Sequence, residues 1–447
     1  MKTAPEKRNN RKPKKKTIEK NLIFRLCKTI FHYFPDLYDR IGGIGDCRKK
    51  KVYELTEVLM AAVMMSVFKK GSRNAFGNEK GSGESETDYE KIFGIRLPSM
   101  DTVDEIMRKT DENCLKKLKT EPVKILIKKK VFHRSRVFGK YLPAVDGSHA
   151  MTVSEGHCEH CLKRTSGRSG KTTYFHNVVE AELVTENGFS ISSATEWVEN
   201  PEGKYDKQDC ELKAFVRLAE KLKKDFPRLP ICISGDGLYP NQTFSGICEE
   251  NEWDFILSFG DGNLPSVWEE IRILKELSEE NRRQITICKG EKKTVRTYKW
   301  VNDIDYKGFM LNRSECAEES DGKLTRFVSV SSFGADYFRV TEITGAGHKR
   351  WKIENEGSDI RKNHGYGPGH QYSGVSVTAT ENYCQCMQIA HIINQLSELS
   401  SLFMPILTGK MTVKHLRECM LGELRHMILN SEILQELLKR RIQFRYD

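Results

Sequence analysis

The hydrophobic period of this chain changes near residue 137, and that change constrains the fold more than any other feature. Between residues 21 and 132, apolar side chains recur at three- and four-residue spacings, as in Val52, Leu55, Leu59 and Val63, which is the repeat of an amphipathic helix. The stretch from Asp101 opens with Asp-Thr, a helix-start signal, and continues through Val103, Ile106 and Met107. A polar, Gly/Ser-rich loop at 77–90 lies between these helices. Beyond 137, short apolar runs at 141–145, 178–184 and 189–195 read as strands. The first is expected to end at Asp146-Gly147, and the Asn187-Gly188 turn between the other two suits a hairpin. Leu212, Phe215, Val216, Ala219 and Leu222 then stripe a helix over 206–224, followed by an apolar run at 231–233, a helix over 241–251 and a strand over 254–259. Three strands, a helix, a strand, a helix and a strand specify an α/β sheet with mixed strand directions.

Residues 260–347 break this rhythm. Strands are predicted at 285–288, 295–301, 308–312 and 326–331, separated by Gly, Asp and Asn turns, which makes the segment a β-rich insertion. Helical spacing returns from His348 to Arg361. Tyr383, Cys386, Ala390, Ile393 and Leu396 stripe a further helix, and C-terminal helices are predicted over 412–438. The expected organisation is a basic tail (1–20), a helical N-terminal region (21–136), a core in two parts (137–259 and 348–400) around the insertion (260–347), and a helical C-terminal region (401–447).

Charge and cysteine content narrow the function classes. The net charge is +11, and the first twenty residues, with nine basic and two acidic side chains, supply +7 of it. Such a tail is expected to be disordered and suits either a polyanion partner or a solvated arm. The longest mostly apolar stretch, 58–68, is too short to span a bilayer and reads as a core helix. The N-terminus has no apolar signal region, so the protein is expected to stay in the compartment where it is made. Thirteen cysteines without an export signal argue against a disulfide framework.

Two aspartates sit at strand ends of the predicted sheet: Asp146 in AVDGSH and Asp236 in ISGDGLYP, each followed by a glycine. Strand ends of α/β sheets are where ligands bind. A third acid comes from the predicted helix HKRWKIENEGSDIRK. At 100° per residue and with Arg350 at zero, Glu354 falls at about 40° and Arg361 at about 20°, a narrow polar stripe beside the Ile353/Ile360 seam. An ordinary surface helix with i,i+4 ion pairs would carry the same pattern.

The run Arg350-Trp351-Lys352-Ile353-Glu354 resembles the C-terminal signature of the IS4-type DDE transposases of bacterial insertion sequences. Asp146-Gly147 and Asp236-Gly237-Leu238-Tyr239 resemble that family's two aspartate motifs, and the likeness covers roughly 137–395. The resemblance implies an RNase H-like mixed sheet with flanking helices, a DNA-binding N-terminal region and a C-terminal region for assembly. It implies Asp146, Asp236 and Glu354 as catalytic residues holding Mg²⁺ or Mn²⁺, and Arg350 as the signature arginine. The activity implied is cutting at transposon ends and transfer of the 3′-hydroxyl strand into target DNA. The implied partners are terminal inverted repeats, target DNA and a second copy in the synaptic complex, and the implied setting is the bacterial cytoplasm, at the nucleoid. Two departures stand out: Gly347 occupies the family's tyrosine position, and Arg361, with Lys362 beside it, occupies that of a lysine. Arg350, Arg361 and Lys362 are expected to steady phosphates. Three rivals stay open: a transposase-derived DNA-binding protein that has lost catalysis, an RNase H-fold nuclease without strand transfer, and a zinc-dependent binding module.

Other segments carry weaker signals. His157, Cys158 and Cys161 are candidate zinc ligands, with His149, His176, Cys210 or the Cys384/Cys386 pair as completers, although structural zinc usually takes two such pairs. Gly167–Thr172 mimics a phosphate loop but has Thr165 where the first glycine belongs. Arg164, Arg168, Lys171 and His176 are candidate contacts to DNA backbone, as suited to a solvated loop. Trp268 and Trp300 of the insertion are expected to pack in its core rather than stack on bases.

Overall fold

The computed structural model describes residues 21–46, 48–78, 83–153, 160–200, 209–276, 279–290, 292–367, 372–373, 376–408, 411–425, 435 and 438–444. The basic tail, Cys158 and His157 lie outside them. Helical spacing in the N-terminal region becomes seven helices: α1 (Leu22–Tyr33), α2 (Leu37–Gly42), α3 (Leu55–Val67), α4 (Arg73–Gly77), α5 (Gly83–Phe93), α6 (Met100–Met107) and α7 (Glu112–Lys128). α3 is apolar on nearly every side, and all its residues but Thr56 are buried, as a core helix requires. Its start is set by a capping box in which Glu57 accepts the Glu54 N–H at 2.8 Å.

The sheet begins with β1 (Pro143–Val153), β2 (Leu162–Thr165), β3 (Thr172–Val184) and β4 (Ser190–Val198). It continues through α8 (Glu211–Asp225), β5 (Cys232–Gly235), α9 (Gln242–Glu250) and β6 (Asp254–Ser258), in the order read from the sequence. β1 does not end at Asp146-Gly147 as expected. It runs on to Val153, because β3 offers unbroken antiparallel pairing from Leu183 back to Tyr174 with one irregularity after His149. β4 and β2 pair with β3, while β5 and β6 add parallel strands on the other side of β1.

The insertion corrects two expectations. It opens with a helix, α10 (Pro265–Glu276), that was not foreseen. Its strands β7 (Arg282–Lys289), β8 (Lys292–Tyr306), β9 (Phe309–Ser320) and β10 (Lys323–Ser331) are longer than predicted. Two of their turns, Lys307-Gly308 and Asp321-Gly322, take positive φ at both residues, the geometry that continues strand twist through a two-residue hairpin. The insertion is also not a separate β unit. Ser329–Ser331 pair with Ser258–Ile256, so β10, β9, β8 and β7 extend the core sheet past β6.

After β10 come α11 (Val340–His348), a π-helical turn at Ile353–Asp359, α12 (Ile360–Asn363) and α13 (Val377–Glu398). α14 (Met404–Leu407) and α15 (Val413–Arg425) complete the described chain. The predicted stripe of α13 is buried throughout, and the helix packs on α3, α6 and α7 as well as on β4. One apolar cluster therefore joins the N-terminal helices, α13 and one side of the sheet. No helix among the described residues is long and apolar enough to cross a membrane.

Candidate active site

The parallel pairing of β1 with β5 places Ala144 opposite Ser234. Two residues further along the chain from each stand Asp146 and Asp236, so equal offsets from a shared register place the two residues next to each other. Asp236 follows the last residue of β5, and its Oδ1 accepts the Leu238 N–H at 2.8 Å, which closes the turn beyond the strand. The π turn packs against β1, β3 and β4 and brings Glu354 close enough for its charge to act on Asp146. There Glu354 meets Arg350 at 2.7 Å, and the Arg350 guanidinium also covers the Trp351 ring at 4.8 Å from its centroid.

Asp146 carries the electrostatic signature of the cluster. Burial pushes its carboxyl up to about 7; Arg350 opposes the rise, while the charges of Glu354, Glu211 and Asp236 add to it. The fourth acid, Glu211, was missed in the sequence. It is the first residue of α8, and its Oε1 accepts the Tyr239 hydroxyl at 2.7 Å. Its own carboxyl is raised, chiefly by burial, with Asp236 contributing and the Tyr239 and Gly147 hydrogen bonds opposing. The only available signal was Gly147, the small residue that lets this carboxylate approach β1.

The four acids are hard-oxygen donors of the kind that suits a divalent cation, and a bound cation would oppose the rise that burial, with the neighbouring acids, imposes on Asp146. Among the described residues, no three His, Cys, Asp or Glu side chains converge closely enough to enclose a metal ion as they stand. Glu354 is turned onto Arg350 instead. Arg350 is 5% exposed, and its Nε–H has no acceptor among the described residues, a buried donor left open beside the carboxylates.

The raised carboxyl has a consequence for stability. The folded chain keeps the Asp146 proton up to about pH 7, whereas an unfolded carboxyl releases it near 4. The folded state is therefore penalised progressively as pH rises through that window, and fully above it. In metal-free buffer, Asp146→Asn is expected to be more stable than the native chain at pH 8, by up to about 4 kcal/mol, with the difference vanishing by pH 4. Denaturant unfolding at the two pH values measures it; equal gaps at both would contradict the assignment.

The π turn corrects the helical-wheel reading of Arg361. Each residue of a π turn advances less than 100°, so seven of them rotate Arg361 out of the Arg350/Glu354 stripe. It is buried and ion-paired with Glu180 and Glu182 of β3, not free to hold a phosphate. His176 is corrected likewise. It is fully buried on β3, with Nε2 3.2 Å from Cys161 Sγ and its ring edge-on to Trp197, and no DNA backbone can reach it. Lys362 is exposed, as are Arg164, Arg168 and Lys171 around the β2–β3 turn. Arg164 shares with Gly147, His149, Asn177 and Glu211 the lining of a cleft of about 560 Å³ beside the acids. Of the candidate zinc ligands, only Cys161 is described, buried at the start of β2.

Trp300 is buried, and Trp268 stacks on Phe259 at 4.9 Å and donates its indole N–H to Gly260 O at 3.1 Å, so both pack within the insertion as expected. At Gly347 a Cβ would stand 3.3 Å from Ile256 and 3.4 Å from Ser329, so the family's tyrosine could enter only if those neighbours moved. Trp351, 45% exposed, instead borders the small cavity there. No protein-family model matches the sequence, and no curated protein matches it. The chemistry of the site therefore rests on its own geometry.

Proposed function

We propose that this protein is a DDE transposase with an RNase H-like core, which cuts DNA at transposon ends and joins the freed 3′-hydroxyl strand to target DNA. The observation that carries the reading is that the charges of Asp236 and Glu354, each 90 or more positions from Asp146 in sequence, both act on the buried Asp146 carboxyl beside a parallel strand pair. The sheet order supports it: three antiparallel strands (β4, β3, β1) followed by two parallel ones (β5, β6), with helices between, is the arrangement expected of an RNase H-like core.

Asp146, Asp236 and Glu354 would hold Mg²⁺ or Mn²⁺. When bound, such ions activate a water or hydroxyl and stabilise the leaving oxygen of an in-line displacement. The protein's own groups do the positioning. Asp146 and Asp236 stand at equal offsets from a shared strand register, so backbone pairing brings the two positions next to each other. The open Nε–H of Arg350 offers a buried, fixed donor to a phosphate oxygen next to the acids. The exposed Arg164, Arg168, Lys171 and Lys362 supply positive charge for DNA backbone beyond the cleft. DNA is the partner in this reading, two copies act together on paired ends, and the bacterial cytoplasm is the setting.

The test uses linear DNA bounded by the inverted repeats that flank the coding sequence, incubated with Mg²⁺ and a supercoiled target plasmid. The expected result is nicking at the repeat end followed by covalent joining to the plasmid. Nicking without joining would make the protein a nuclease, and binding with neither reaction would make it a DNA-binding derivative.

A further inference from the structure

Glu211 stands at the start of α8 but acts on two strands at once. Its carboxylate packs directly against Gly147, the residue after Asp146. The contact is so close that a Cβ at position 147 would overlap it, with Cδ only 2.7 Å away. Its Oε1 accepts the Tyr239 hydroxyl at 2.7 Å, and Tyr239 is buried three residues beyond Asp236. The Tyr239 ring is held in turn by Phe215 of α8, edge-on at 5.3 Å, and by Phe244 of α9. A solvent-facing acid at a helix start would favour the helix dipole with no such ties. This one is half-buried, bonded to Tyr239 beyond the Asp236 strand and pressed against Gly147 within the Asp146 strand.

We propose that Glu211 is a positioning residue of the site, a carboxylate brace that sets the separation of Asp146 and Asp236 and thereby their affinity for a divalent cation. The inference rests on the reading of Asp146, Asp236 and Glu354 as the metal-holding acids. It goes beyond that reading by adding a fourth acid and assigning it a mechanical task. Gly147 and Tyr239 belong to the same device: the glycine gives the carboxylate its place against β1, and the tyrosine ties that carboxylate to the Asp236 turn.

Mn²⁺ binding to the full-length protein, followed by the electron paramagnetic resonance of free Mn²⁺, tests the brace without DNA or turnover. Native protein and the Asp236→Ala, Glu211→Gln, Tyr239→Phe and Gly147→Ala variants are compared. Asp236→Ala is expected to lose tight binding. Glu211→Gln, which preserves size but weakens the hydrogen bond accepted from Tyr239, is expected to bind about tenfold more weakly, as supporting residues around metal sites do. Tyr239→Phe and Gly147→Ala, which disturb the brace with Glu211 intact, are expected to bind more weakly by about threefold or more. Unchanged affinity in Glu211→Gln, alongside a defective Asp236→Ala, would overturn the brace and leave the proposed function standing. Unchanged affinity in Asp236→Ala would overturn the metal-holding reading and the brace with it. Should Glu211→Gln fail to fold, Tyr239→Phe and Gly147→Ala decide, and native affinity in both overturns the proposal.

Discussion

Asp236→Ala is expected to lower Mg²⁺-dependent nicking of repeat-ended DNA by at least about a thousandfold, a barrier increase of about 4 kcal/mol. The effect belongs to chemistry rather than to folding. Asp236 is half-exposed at the exit of β5, and the hydrogen bond it accepts, from Leu238 N–H, closes a surface turn. Losing that bond costs about 1 kcal/mol, little against the stability of a domain. DNA binding is expected to persist, because the exposed basic side chains around the cleft are untouched. Single-turnover nicking followed on a denaturing gel, beside a gel-shift titration at fixed salt, separates the two quantities. Retained nicking with intact binding would remove Asp236 from the site.

Arg361→Met is expected to cost about 3–5 kcal/mol of stability at pH 8, as breaking a buried ion pair from one side does. Arg361 lies between Glu180 and Glu182, all three buried. Burial pushes the Glu182 carboxyl up, and Arg361 is what opposes that rise. Around them, Lys119 donates to Thr195 Oγ1 at 2.7 Å and Gln388 Oε1 at 3.0 Å, and Gln388 in turn donates to Glu180. Without the guanidinium the two carboxylates must repel each other in the core or take up protons. Proton uptake in the folded variant means that its deficit shrinks as pH falls. Unfolding midpoints at pH 8 and pH 5.5 measure the change, and the double variant Arg361→Met/Glu182→Gln is expected to recover part of the loss. A deficit of the same size at both pH values would show that lost packing, not charge, dominates.

These two residues also mark the boundary between what was legible in the sequence and what was not. Asp236 was legible because a strand-terminating Asp-Gly after Ile231-Cys232-Ile233 is a local pattern, set by the alternation of apolar run and turn. The same holds for Asp146 as a residue, though not for the end of its strand: β1 continues because β3 pairs with it, and pairing partners lie outside any local window. Arg361 was misplaced because a wheel at 100° per residue presumes an α-helix, and nothing in IENEGSD announces a π turn. His176 was misplaced because the strand was read from residue 178, which left it in the preceding loop; the strand starts at Thr172 and pairs His176 with Met151, a partner outside any local window.

The sequence by itself determined the order of α8, β5, α9 and β6, the apolar run of α3, the stripe of α13 and the acid that follows β5, since each depends on spacing along a short stretch of chain. Only the tertiary structure decided that the insertion extends the core sheet, that Arg361 closes a buried charge network on β3, and that Glu211 reaches both Gly147 and Tyr239. Those outcomes depend on strand register and on which faces become buried, and both are settled by partners distant in the chain.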